Sequence, residues 1–104
     1  MFEVIVHEDA EQEILSLPPI LLGQMIKLIE RLKFEGNNLR LPHSKVIGGG
    51  LFELRVGGKD IARTLYAYAY GERIYLLRAF IKKTPATPSK EIAIARLRLR
   101  ELTE

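Results

Sequence analysis

Arginine and lysine carry the chemistry that is legible in this chain. Arg55, Arg63, Arg78 and the pair Lys82–Lys83 fall on, or just after, three successive stretches that alternate as strands do. Hairpin-connected strands lie about 5 Å apart, so cations on consecutive strands converge on one patch. Arg63 shares the parity of Ile61 and Leu65, and Arg78 that of Leu76 and Phe80. Each therefore sits among apolar neighbours and must either snorkel to a rim or line a polar cleft. Two roles stay open for them: ion pairs with Glu53 and Glu72, or recognition of phosphate. Guanidinium groups suit the second, because their planar fork of donors matches phosphate oxygens and stays cationic at any working pH. Clustered around an RNA phosphodiester, such cations favour attack by the neighbouring 2′-OH and stabilise the charge of the transition state. Lys82 or Lys83 then serves as proton donor to the leaving 5′ oxygen if the positive field depresses its pKa.

Other chemistries find little support. The chain has no cysteine, which excludes a disulfide framework, a thiolate metal site and a cysteine nucleophile. His7 and His43, its only histidines, stand 36 residues apart and form no helical ligand pair. No metal and no cofactor are expected. His43, beside Ser44 and Lys45 on a long loop, is a secondary candidate for approaching an anionic substrate, and Lys45 goes with it. The run Gly48–Gly50 lacks the lysine and hydroxyl ending of a phosphate-binding loop and reads as turn material. Tyr66, Tyr68 and Tyr70 share one strand face and are read as core packing rather than as a platform for bases.

The 104 residues, 47% of them hydrophobic, suit one soluble domain spanning 1–104. The net charge of +3 hides a segregation: residues 1–35 hold three cations against seven acids, and residues 36–104 hold 13 against six. A basic half of this kind attracts polyanions, nucleic acid foremost. No stretch of about 18 apolar residues is present, so no membrane partner is expected. The opening MFEVIVHEDAEQE turns acidic where a secretory peptide starts basic, and a cytoplasmic location is expected.

These residues need elements to position them. FEVIV (2–6) reads as a strand, and Glu8 to Leu17 as a helix with Ala10, Ile14 and Leu17 on one stripe. Pro18–Pro19 end it and open a second helix to Glu35, whose apolar face is Leu22, Met25, Ile26, Ile29 and Leu32, with Gly36 as its C-cap. A loop of 15 residues, 36–50, follows. LFELRV (51–56) alternates Leu51, Glu53 and Arg55 against Phe52, Leu54 and Val56; Gly57–Gly58 turns it into a partner strand at 60–69. After a turn at 70–72, residues 73–83 are apolar on both faces, as in a covered central strand. A last helix starts near Thr87, its N-cap, with Pro88 in first position, and buries Ile92, Ala95, Leu99 and Leu102 while Arg96 and Arg100 form a basic stripe. The expected architecture is α+β, in the order β-α-α-β-β-β-α, with a small antiparallel meander.

LFELRV, ARTLYAY (62–68), LLRAFIKKTPATP (76–88) and EIAIARLRLREL (91–102) resemble the RelE/ParE toxin superfamily, most closely its HigB-like, phage-derived branch. The resemblance implies the RelE-like fold of a helical hairpin on a small sheet. It also implies the toxin of a type II toxin–antitoxin pair: a ribosome-dependent mRNA endoribonuclease that stops translation by metal-independent 2′-OH attack. Carried over by position, Arg55, Arg63 and Lys83 are the catalytic set, assisted by Lys82 and Arg78, with Lys45 and His43 as further RNA contacts. Glu53 stands where RelE has a lysine, and TPATPSKEIAI lacks RelE's C-terminal tyrosine, so general acid and base stay unassigned. The implied partners are mRNA, the ribosome and a cognate HigA-like helix-turn-helix antitoxin, joined in a hetero-oligomer. Two other readings are a ParE-like toxin that binds DNA gyrase without catalysis and an inactive phage-derived relative.

Overall fold

In the computed structural model, which describes residues 1–57 and 61–104, the acidic run near the N-terminus becomes helix α1 (Glu8–Leu15). His7 caps it: Nδ1 accepts the Asp9 N–H at 3.1 Å, which leaves Nε2–H to donate to Glu101 at 2.8 Å. The prolines start α2 (Pro19–Glu35), and Gly36 ends it at φ 51°. Around these helices run β1 (Glu3–Val6), β2 (Ser44–Gly48), β3 (Leu51–Val56), β4 (Ile61–Ala69), β5 (Arg73–Lys82) and α3 (Ser89–Thr103). The sheet order is β1-β5-β4-β3-β2. All pairs are antiparallel except β1 with β5, so the expected meander carries a parallel edge strand that the order of hairpins did not reveal.

One sheet face packs on the helical hairpin, with Ile14, Leu21, Met25 and Leu32 against Leu54, Tyr66 and Leu76. The other packs on α3, with Ala95, Ile92 and Leu99 against Leu51, Leu65 and Leu77. The alternation expected in 51–56 and the inner face expected for α3 are both present. β5 lies inside the sheet between β1 and β4, which accounts for its apolar residues on both faces.

Several expectations are corrected. The 36–50 loop is shorter, because Ser44–Gly48 pairs with β3 as edge strand β2; a register shift between Val46 and Gly48 breaks the period-2 pattern that would mark a strand. Helix α1 stops at Leu15, although Leu17 stays buried beyond it. Helix α2 buries Leu21, Met25, Leu28 and Leu32, leaving Ile26 exposed. Its apolar residues wrap more than one stripe, so two neighbouring faces fit the periodicity. Tyr66 and Tyr68 stack with Phe52, as core residues do, but Tyr70 sits on the β4–β5 turn and is 97% exposed. Thr87 is not the N-cap of α3; Pro88 occupies that position without a side-chain cap. The Gly57–Gly58 turn extends, at Gly58, outside the described residues, as does the start of the partner strand at Asp60.

Arg78 belongs to the framework. It donates to Glu13 on α1 and, at 3.0 Å, to Glu91 on α3, while Arg98 of α3 makes a two-pronged contact to Glu13 at 2.8 and 2.9 Å. The Ala79 N–H adds a third donor, at 3.2 Å, to the same carboxylate. One acid thus ties α1, β5 and α3 together. Burial alone would raise the Glu13 pKa, but the Arg98 hydrogen bond, the Ala79 N–H and the two guanidinium charges outweigh it and hold it below the ordinary carboxylate value of 4.5.

A carboxyl whose pKa falls on folding contributes stability above its unfolded value and loses it as pH drops through the folded one. Glu13→Gln is therefore expected to cost about 3 kcal/mol at pH 7, since two arginines lose a shared partner. It should also flatten the loss of stability below pH 4.5, where Glu13 titrates. Urea unfolding midpoints measured against pH check both; an unchanged acid limb would contradict the role given to Glu13.

Candidate functional site

The sequence places Glu53 and Arg55 two residues apart on β3, hence on one face, and Arg55 lies directly across from Arg63 on β4. Arg63 in turn faces Phe80, Ile61 faces Lys82 and, on the other side, Lys45 faces Glu53. Arg55, Arg63, Lys82, Lys45 and Glu53 therefore share the sheet face that α3 packs on. Like charges directly opposite each other are unfavourable, and Arg55–Arg63 is such a pair.

Glu53 is the counter-charge. It has no exposed surface at all, and its Oε1 lies 3.3 Å from Arg63 Nε and 3.8 Å from Arg55 Nε. Thr87 donates to its other oxygen at 2.5 Å, which draws the 83–88 loop over this part of the sheet. Arg63, 4% exposed, donates through Nη1 to the Ala62 carbonyl at 3.1 Å. Glu53 Oε1 and Arg63 Nε are buried and make no hydrogen bond among the described residues, so their attraction is electrostatic without good donor geometry. Arrangements of this kind cost stability and persist where the surroundings hold them.

The cluster acts on its own members. Burial lowers the pKa of Arg63; Glu53 opposes the shift and Arg55 adds to it. The guanidinium remains cationic. Burial likewise lowers the pKa of Lys82 from the ordinary lysine value; Glu53 opposes, and Arg63, Arg55 and Lys45 push it further down. A lysine so placed gives up its proton more readily than a solvated one.

Arg55, Arg63, Lys82 and Lys45 are thus brought together, with the Arg55 N–H bonded to the His43 carbonyl at 2.9 Å. Lys83 is exposed, one position past the end of β5, and is not among the charges that shift Arg63 or Lys82. It is Lys82, two positions past Phe80 and across from Ile61, that is buried beside Arg63. Arg78, expected at the phosphate, is committed to Glu13 and Glu91. Among the described residues no three His, Asp or Glu side chains gather as metal ligands, and no helix is long and apolar enough to cross a membrane.

A cleft of about 610 Å³ opens beside the cluster, and Arg55 and Arg63 line it together with His43 and three residues of α2, Gln24, Lys27 and Arg31. Sequence reasoning missed the α2 contribution. Its signal is present, as polar residues at i, i+3 and i+7 on a helix otherwise read for its apolar face. Thr87 was missed as a ligand of Glu53 because a threonine before Pro88 reads as a helix cap.

Residues 12–100 match the family described as Phage derived protein Gp49-like (DUF891). Among solved structures, the toxin–antitoxin complex RelBE2 from Mycobacterium tuberculosis is similar in fold, with a TM-score of 0.59 and 22% identity over 78% of this chain and 98% of that one. No curated protein matches the chain.

Removing the buried counter-charge should be costly. Glu53→Gln leaves Arg63 buried beside Arg55 with no anion and is expected to lower stability by about 3 kcal/mol. Arg63→Gln combined with it should recover part of that loss, with a coupling of about 1–3 kcal/mol. Strict additivity in a urea double-mutant cycle would show that the two groups do not interact.

Proposed function

The chain belongs to the phage-derived Gp49-like family and has a RelE-like toxin fold, and from that premise we propose that it is a HigB-like toxin of a type II toxin–antitoxin pair that cleaves mRNA on the ribosome. The observation that carries this reading is the convergence of Arg55, Arg63, Lys82 and Lys45 on one sheet face where, among the described residues, Glu53 alone pairs with the arginines. Such an excess of cation lacks a counter-charge until a phosphate supplies one.

In this reading Arg55, at the surface, holds a non-bridging oxygen of the scissile phosphate, and Arg63 supports it from below. The 2′ oxygen bonds to phosphorus as the bond to the 5′ oxygen breaks, giving a 2′,3′-cyclic phosphate and a free 5′-OH. The 2′ proton leaves to solvent or a base on the ribosome, and Lys82 protonates the departing 5′ oxygen. Glu53 is no candidate base, since both its oxygens are buried against Arg63 and Thr87. It is the counter-ion that lets the arginines coexist. The partner of the pair is an antitoxin of the HigA-like, helix-turn-helix kind, and the site of action is the cytoplasm.

Induced expression of the wild type beside Arg63→Ala, Lys82→Ala and Lys83→Ala, with mapping of mRNA 5′ ends, tests the proposal. Loss of a general acid typically costs about 10²–10⁴ in rate, so Lys82→Ala should lose growth arrest and new 5′ ends by a factor in that range. Arg63→Ala should lose both, and Lys83→Ala should keep most. Growth arrest without new 5′ ends, together with blocked gyrase supercoiling, would replace the nuclease with a ParE-like binder.

A further inference from the structure

The cleft between α2 and the β3–β4 end of the sheet has a construction that the cleavage chemistry leaves unused. Its floor is apolar, made by Leu28, Val56, Ile61 and Pro42. Among the described residues, the ionised side chains that line the cleft are all cations: Lys27 and Arg31 from α2, Arg55 and Arg63 from the sheet. Arg31 is paired on its helix with Glu35, at 2.7 and 3.1 Å, but both partners are exposed and such i, i+4 surface pairs contribute little, so a phosphate competes easily. Gln24, exposed on the same side of α2, adds an amide that both donates and accepts, as the ring of His43 on the opposite side can.

We propose that this cleft is a nucleotide subsite, in which one unstacked base of single-stranded RNA lies on the apolar floor, Gln24 reads its edge, and Lys27 and Arg31 hold the flanking phosphate. The proposal rests on the RNA reading above. Its basis is continuity: Arg55 and Arg63 belong to the cationic cluster and to the cleft at once, so a strand whose phosphate sits on Arg55 passes the cleft mouth. An amide side chain pairs with a base edge through two hydrogen bonds. A volume of about 610 Å³ suits a base with its ribose. An acidic peptide would satisfy the cations too, and its backbone would pair with the Gln24 amide; what favours RNA is the continuity of the cleft with the phosphate position at Arg55.

The purified full-length protein should be titrated by fluorescence anisotropy with 2′-O-methyl RNA 12-mers, which block 2′-OH attack, in four homopolymers and in a version with one abasic position. The wild type should prefer one base by about 10-fold and lose about 10-fold on the abasic strand, which lies within the range that stacking of one base contributes. Gln24→Ala should compress the base preference to within about 2-fold, and Lys27→Ala with Arg31→Ala should weaken all strands by about 10-fold while keeping the preference. Gln24, Lys27 and Arg31 are exposed, so melting temperatures should not move. Equal binding of abasic and intact strands, an unchanged preference in Gln24→Ala, or no binding by the wild type would each overturn the subsite. The nuclease reading is judged separately by mRNA 5′ ends: ends that persist with unchanged base preference in Gln24→Ala sink the subsite alone, whereas binding with no new ends in the wild type sinks the nuclease alone.

Discussion

A carboxylate with no exposed surface governs the polar half of this molecule. Glu53 sits where β3 and β4 bring two arginines face to face, and without it the Arg55–Arg63 pair would be two like charges at cross-strand distance in a partly desolvated place. It also receives the Thr87 hydroxyl, which sets the course of the loop from β5 to α3. Lys82 is buried in the same neighbourhood and feels both the acid and the arginines. Each of these features needs the others: remove the acid and the cations separate, remove the cations and the acid has no reason to be buried.

The same sheet carries a second set of arginines with a different fate, and charge balance separates the two. Arg78 and Arg98 share Glu13, Glu91 takes Arg78 as well, and Asp9 lies 3.9 Å from Arg98, so two cations meet three acids and the set closes on itself. Around Glu53 one acid faces Arg55 and Arg63 directly, with Lys82 and Lys45 near. The first set fastens α1, β5 and α3 together. Among the described residues the second keeps an excess of positive charge, which costs stability in the free protein. The closed network thus offsets, in the framework, part of what the open one costs at the site.

Most of the framework was legible because its periodicities are long. Helix α2 spans 17 residues between prolines and a glycine, and β3, β4 and β5 are long apolar stretches set between turns, although a register shift between β4 and β5 puts Leu76 and Arg78 on opposite faces, against the parity read from the sequence. Edge strand β2 was hidden because a register shift near Gly48 leaves only three regular pairs, and the parallel pairing of β1 depends on contacts made 70 residues away. At the site, parity placed Arg55 and Arg63 on one face, yet it did not place the boundary of β5, on which the choice between Lys82 and Lys83 depends. Nor could it separate Arg78 from Arg63. Both are arginines among apolar neighbours, and only the approach of α1 and α3 supplies one with acids and leaves the other beside Glu53.

The location of the cluster follows from how far α3 reaches. Its inner residues Ile92, Ala95, Leu99 and Leu102 belong with Leu51, Leu65, Ala67, Tyr75 and Leu77, the apolar part of that sheet face. Glu53, Arg55, Arg63 and Lys82 lie on the same face, but toward the β3–β4 end, where the chain over the sheet is the 83–88 loop and not a helix. Pro85 and Pro88 make this division possible, since a proline lacks the N–H that a continuing helix would use and restricts the residue before it. A helix begun one turn earlier would lay side chains across the cluster and force the charges to pair or the strands to be apolar. The fold covers its apolar surface with a helix and its charged surface with a loop, and it is this division of cover that makes a buried core and a cluster of charges compatible on one sheet.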